Sequence, residues 1–181
     1  MKENIITIAK KALAIESEAL VELNNYIDAS FEKVVTAILN SKGRLVISGI
    51  GKSAIIAQKM VATFNSTGTP ALYLHAAEAI HGDSGMIQTN DIVLIISKSG
   101  ESPEIKNLVQ LVKQFGNTII GMVGNKQSYL ATQADLMIDT TVTKEACINN
   151  LAPTSSTTAQ MVMGDVIAVC LMELKQFSVS Q

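Results

Sequence analysis

The residues best able to do chemistry in this sequence lie in short loops that each follow a run of aliphatic residues. Ser97-Lys98-Ser99-Gly100-Glu101-Ser102-Pro103-Glu104 packs three hydroxyls, a flexible glycine and a proline ahead of a helical pattern. Hydroxyls and the free N–H groups of a helix start donate to phosphate oxygens, and a first-turn proline gives up an N–H that would have no helical partner. A plain N-cap would use Ser102 alone and leave Ser97 and Ser99 unexplained. The stretch therefore predicts a phosphate cradle built on Ser97, Ser99, Gly100 and Ser102.

A second loop, Ser48-Gly49-Ile50-Gly51-Lys52-Ser53, has two glycines that let the backbone approach an anion, with a lysine beside the helix start at Ser53. A tight turn with a solvated lysine accounts for the same pattern. A phosphate-binding P-loop is excluded because its first glycine would fall at Val46, and a dinucleotide fold is disfavoured by the lack of an acidic residue closing the run 71–75. Both histidines, His75 and His81, fall in one loop, which suits proton transfer or metal ligation. Two histidines without a cysteine or third fixed ligand make a weak metal site. Farther on, Ala152-Pro153-Thr154-Ser155-Ser156-Thr157-Thr158 opens the last helix as another anion-friendly terminus, and Glu145 just before it becomes a candidate base. Cys147 has no basic partner at loop or helical spacing, which argues against a thiolate nucleophile.

The elements that must position these loops are legible as periodicities. Ile5, Ile8, Ala12, Ile15 and Ala19 recur at steps of three and four and mark one helix face, and Phe31, Val34, Val35, Ile38 and Leu39 mark a second helix. Aliphatic runs at 45–47, 71–74, 92–96, 118–123 and 136–138 read as five parallel strands, and Ile105, Leu108, Val109, Val112 and Phe115 give the clearest helix between them. The expectation is a three-layer α/β/α sandwich with a five-stranded parallel sheet, in one domain over residues 1–181, with leading helices in 1–42 and the α/β core in 43–177. The final helix, expected over 156–176, is apolar on nearly every face and is predicted to be buried between subunits.

Composition narrows the function classes. A net charge of −2 with 17% charged residues offers no basic surface for nucleic acid or anionic membrane, so a small-molecule ligand is expected. Charges at Lys10, Lys11, Glu16 and Glu18 break up the N-terminal segment and argue against a signal peptide or membrane span. The two cysteines, Cys147 and Cys170, are far apart and in no metal-like spacing, which suits a reducing cytoplasm.

Together, Gly49-Ile50-Gly51-Lys52-Ser53, His81-Gly82-Asp83, the serine loop from Ser97, Lys144-Glu145-Ala146-Cys147 and the hydroxyl run from Ala152 resemble the SIS (sugar isomerase) domain of arabinose-5-phosphate isomerases. The likeness runs from about Lys10 to Phe177. It implies a reversible aldose–ketose interconversion of ribulose 5-phosphate and arabinose 5-phosphate, serving Kdo and so lipopolysaccharide or capsule synthesis, by a cytoplasmic homotetramer. It maps functional roles onto Lys52, His81, Glu104 and Glu145. It places substrate contacts at Gly51, Ser53, Gly68, Thr69, His75, Ser97, Ser99, Gly100, Ser102, Thr154 and Ser155. No cofactor is required, and zinc enters only as an inhibitory ligand at His75. Lys98 stands where asparagine is common and Ala76 where proline is usual. The family's usual continuation, a His-Pro-Gly-Gly segment and paired CBS domains, lies outside these 181 residues. The competing implications are a non-catalytic sugar-phosphate sensor and an isomerase of another sugar phosphate, such as a hexulose phosphate.

Overall fold

A computed structural model describes residues 4–177. Two helices lead, α1 (Ile5–Glu22) and α2 (Ala29–Asn40), capped by the side chains of Asn4 and Asp28. Strands and helices then alternate: β1 (Leu45–Gly49), α3 (Lys52–Ser66), β2 (Ala71–His75), α4 (Ala76–Ala79), β3 (Ile92–Ser97), α5 (Pro103–Phe115), β4 (Thr118–Val123), α6 (Tyr129–Gln133), β5 (Leu136–Asp139) and α7 (Ser155–Leu174). All five expected strands form, most running one or two residues past the aliphatic runs.

The strands are parallel in the order β2-β1-β3-β4-β5. Alternate side chains feed two cores, as a strand's two-residue period requires. Leu45, Ile47, Leu94, Ile96, Ile120 and Met122 meet α2, α3 and α7 on one face. Val46, Val93, Ile95, Ile119 and Val123 meet α4 and α5 on the other. Covered on both faces, these strands need no polar alternation, and that is why they read as plain aliphatic runs. The chain leaves β1 in one direction and β3 in the other, so the loops at their carboxyl ends diverge and leave a crevice between them.

The face of α1 defined by Ile5, Ile8 and Ala12 is largely left open by the chain: Ile5 is 84% exposed and Ile8 50%, and only Ala19 is fully covered. One expectation is corrected: α7, expected between subunits, is packed inside its own chain against α1, α2 and α3, with Ala159, Met163, Ile167, Ala168 and Leu171 buried. It is long and apolar enough to cross a membrane by length and composition, yet here it forms the centre of one helical layer. Its low amphipathicity reflects neighbours on several sides.

At the amino edge of the sheet, Asp91 is 2% exposed and ties β1 to β3. It accepts from the N–H, Nε and guanidinium of Arg44 and from the N–H of Gln88. Burial pushes its carboxyl upward, but Arg44 and these amides outweigh burial and hold it below the usual carboxylate range. Replacing Asp91 by Ala orphans these donors and should cost about 3 kcal/mol, read as a lower urea midpoint at unchanged slope.

Candidate active site

Between the carboxyl ends of β1 and β3 lies a cleft of about 320 Å³, lined by Ile50, Lys52, Ser53 and Ser97 to Ser99 with Ser102, and closed by Pro153, Ser156, Thr157 and Gln160 of the α7 start. Three helices of 13 residues or more, α3, α5 and α7, begin at its rim. Their unpaired N–H groups and dipoles add positive potential to that of Lys52 and Lys98. Gly51 turns the chain into α3 with φ 58, a conformation that disfavours any side chain.

The serine loop is held from below. Gly100 N–H donates to Ser97 Oγ at 3.0 Å, and the Gly100 carbonyl accepts from Leu130 N–H at 3.1 Å. A Cβ on Gly100 would sit 2.2 Å from Ser128 Oγ, and its φ is 65. Glu101 joins the same brace, accepting from Tyr129 N–H and pairing with Lys106. Within the cleft, the hydroxyls of Ser102 and Ser156 are buried without a hydrogen-bond partner in the protein, and so is that of Ser155 one residue away. A buried hydroxyl left unpaired costs about 1–3 kcal/mol. Such groups are poised to donate to an incoming anion. Ser53 reaches Gln160 Oε1 at 3.2 Å.

Glu145 is 3% exposed and lies behind the cleft lining, bonded to two of the lining residues, Lys98 and Ser156. Its Oε2 accepts from the N–H groups of Thr154 at 2.8 Å and Ser156 at 3.1 Å, so it caps α7 from a distant loop position. Its Oε1 accepts from Lys98 Nζ at 2.6 Å. Asn150 Oδ1 takes the Glu145 N–H, and Thr154 Oγ1 takes that of Ala146, closing residues 145–154 into a stapled loop. Burial alone raises the Glu145 pKa, but Lys98 and the donors of Ser156 and Thr154 prevail and lower it from 4.5 to about 2. In the same loop the N–H groups of Ala152, Leu151 and Asn149 lower the Cys147 thiol, and the Glu145 charge works against them.

The chain thus brings together Gly51, Lys52, Ser53, Ser97, Ser99, Gly100, Ser102, Glu145, Thr154 and Ser155 at one end of the sheet. It does not bring in the rest. Gly68 and Thr69, expected among the substrate contacts, precede β2 and therefore sit at the amino edge, the opposite end of the sheet from the cleft. There Thr69 accepts from Lys175 Nζ at 2.8 Å. His75 is paired in register with Gly49, one strand beyond the cleft, and its Nδ1 accepts from Ala77 N–H at 3.3 Å. His81 is exposed in the turn after α4. Glu104 is half-buried in the first turn of α5 but does not line the cleft. Among the described residues no three His, Cys, Asp or Glu side chains cluster as metal ligands. With one nitrogen of His75 already engaged, the donors of one chain do not fit a zinc site, and no step is derived through zinc.

Sequence reasoning placed Ser156 and Thr157 in an anion-friendly run but named only Thr154 and Ser155 of it as contacts, missed Gln160 as a cleft residue and gave Lys98 no role. Gln160 carried a signal: it is polar within an apolar helix and four residues after Ser156, hence on the same face.

Because the folded pKa of Glu145 is depressed, its stabilisation is complete above about pH 4.5 and fades as pH falls toward about 2. The shift corresponds to about 3 kcal/mol. Urea unfolding should therefore show Glu145→Gln well below the wild type at neutral pH, with the gap narrowing steadily in acid. A gap of constant size would contradict the pairing.

Comparison with known proteins agrees with this geometry. The SIS domain family matches residues 38–170. The chain is 47% identical over 176 residues to arabinose 5-phosphate isomerase KdsD of Francisella tularensis. It is 44% identical over 174 residues to arabinose 5-phosphate isomerase KpsF of Escherichia coli. Each match covers 96% of this chain, which spans 54% and 53% of those proteins, about half their length. The solved structure of Escherichia coli CFT073 c3406 in complex with arabinose 5-phosphate superposes with a TM-score of 0.94 at 38% identity, covering 97% of this chain and 94% of that one. A cleft at the switch point of a 2-1-3-4-5 sheet, the serine rim and these matches together make the chain a member of the SIS domain family.

Proposed function

We propose that this chain is an aldose–ketose isomerase interconverting D-ribulose 5-phosphate and D-arabinose 5-phosphate, in the service of Kdo and hence lipopolysaccharide or capsule synthesis. One observation carries the reading. The unpartnered hydroxyls of Ser102 and Ser156 lie in a cleft into which three helix termini open, and a buried carboxylate, Glu145, is held directly behind it by two lining residues, Lys98 and Ser156. A phosphate seated on the hydroxyls and N–H groups fixes the remote charged end of the sugar and so orients its reacting carbons. The similarity to KdsD and KpsF and to the arabinose 5-phosphate complex supports this choice of ligand.

The chemistry follows from what such a cleft supplies. From ribulose 5-phosphate, a carboxylate takes a proton from C1, the C–H electron pair becomes the C1=C2 bond, and the carbonyl pair moves onto O2. O2 is then protonated, O1 loses its proton as C1 becomes the carbonyl carbon, and C2 receives a proton. Hydrogen moves only as protons, so no redox cofactor is called for. Glu145 is assigned as the base because its carboxylate is bonded to two residues that line the cleft, Lys98 and Ser156. Lys52, on the rim, steadies the enediolate or the phosphate. Glu104 and His81, outside the cleft of a single chain, take the secondary proton transfers among hydroxyls.

A cytoplasmic homotetramer belongs to the same reading. Ile5, Ile6, Leu13 and Val21 leave α1 with an apolar surface that a further copy would cover.

A coupled assay of ribulose 5-phosphate conversion tests the assignment. Ser102→Ala with Ser156→Ala should raise KM at least about tenfold, with folding unchanged because neither hydroxyl is paired in the protein. Glu145→Gln should lower kcat by about 10²–10⁴. A wild-type protein that binds pentose phosphate without converting it would identify a sensor instead.

A further inference from the structure

In the resting protein both oxygens of Glu145 are occupied: Oε2 by the start of α7, Oε1 by Lys98 at 2.6 Å. With the Lys98 ammonium at 2.6 Å on Oε1 and the helix start on Oε2, the tight pairing makes the carboxylate a weak base. The α7 donors are the amides of Thr154 and Ser156 and the Thr154 hydroxyl, all fixed at the helix start. Lys98 can leave: its side chain is 43% exposed, and its ammonium has no other partner among the described residues.

Lys98 is also placed to meet the ligand. It extends from the same loop as Ser97, Ser99 and Ser102 and lines the same cleft. Its main chain is pinned, since its carbonyl accepts from Gly124 N–H at 3.1 Å. Its stem crosses Gly124 so closely that a Cβ there would lie 3.1 Å from Lys98 Cγ. Movement is thereby confined to the end of the side chain. An arriving phosphate dianion competes for the ammonium with a single carboxylate oxygen and adds the hydroxyls around it.

We propose that Lys98 is a positioning residue that masks Glu145 in the resting protein and is drawn away by the phosphate of the ligand, so that binding and exposure of the base are one event. The proposal rests on the isomerase reading above and deepens it. Before binding, the ion pair neutralises the cleft wall. After binding, Lys98 pairs with phosphate, Oε1 faces C1, and the carboxylate regains basicity as its counter-charge leaves. The other ionisable groups near Glu145 are few. Its own loop carries the exposed Lys144 and the Cys147 thiol, the rim of α3 carries Lys52, and the first turn of α7 adds only amides and hydroxyls.

The test follows the Glu145 carboxyl carbon by ¹³C NMR across pH, its resonance assigned by loss in Glu145→Gln, with inorganic phosphate as the probe. Wild-type protein without phosphate should show no protonation step for Glu145 above about pH 4, and saturating phosphate should bring a step into that range. In Lys98→Gln the step should be present without phosphate and unmoved by it, whereas Lys98→Arg should behave as wild type. In parallel, the acid limb of kcat/KM for ribulose 5-phosphate should move up by about one pH unit in Lys98→Gln, a tenfold change in proton concentration, and return in Lys98→Arg. Identical Glu145 titrations in wild type with and without phosphate would overturn the proposal. The expected titrations in a protein that turns over no pentose phosphate would leave the masking in place and remove the isomerase reading instead.

Discussion

The architecture of the cleft depends on where one negative charge is kept. Glu145 lies in a loop with no regular structure, yet it fastens three separate parts of the chain: the end of β3 through Lys98, the start of α7 through two amides, and its own loop through Asn150. A buried carboxylate is tolerable only when it is paired and hydrogen-bonded, and here two of its donors, Lys98 and Ser156, also line the cleft. The groups that stabilise the charge are thereby among the groups that shape the site.

That arrangement is possible because of the strand order. In a 2-1-3-4-5 sheet the loops after β1 and β3 part company, and the space between them is bounded by helices from opposite layers, α3 on one side and α5 on the other. α7 completes the enclosure by returning over the same layer as α3. The cleft therefore straddles both hydrophobic cores and is carried by the stiffest part of the molecule, while its chemistry comes from loops that the sheet does not constrain.

The sequence disclosed the sheet well because its strands are covered on both faces and so appear as unbroken aliphatic runs such as Ile92 to Ile96. It disclosed the serine loop because hydroxyls at that density before Pro103 exceed what one N-cap uses, although Ser97 and Ser99 also hold the loop's own amides. It did not disclose the partner of Glu145, since a contact between residues 98 and 145 leaves no local spacing to read. Gly68 and Thr69 were misplaced because nothing in a short glycine-containing turn states at which end of a strand it lies; only the parallel register does. The last helix misled for a related reason, as an all-round apolar helix looks the same whether its neighbours come from its own chain or another.

Gly100 shows what this economy of support implies for recognition. Its α-carbon is pressed against Ser128, its carbonyl is taken by α6 and its amide by Ser97. A loop clamped on three sides has surrendered its conformational freedom while folding, so little remains to be lost when an anion settles on it. The backbone of the rim is a rigid template, and an anion of the wrong shape meets amides that cannot rearrange to suit it.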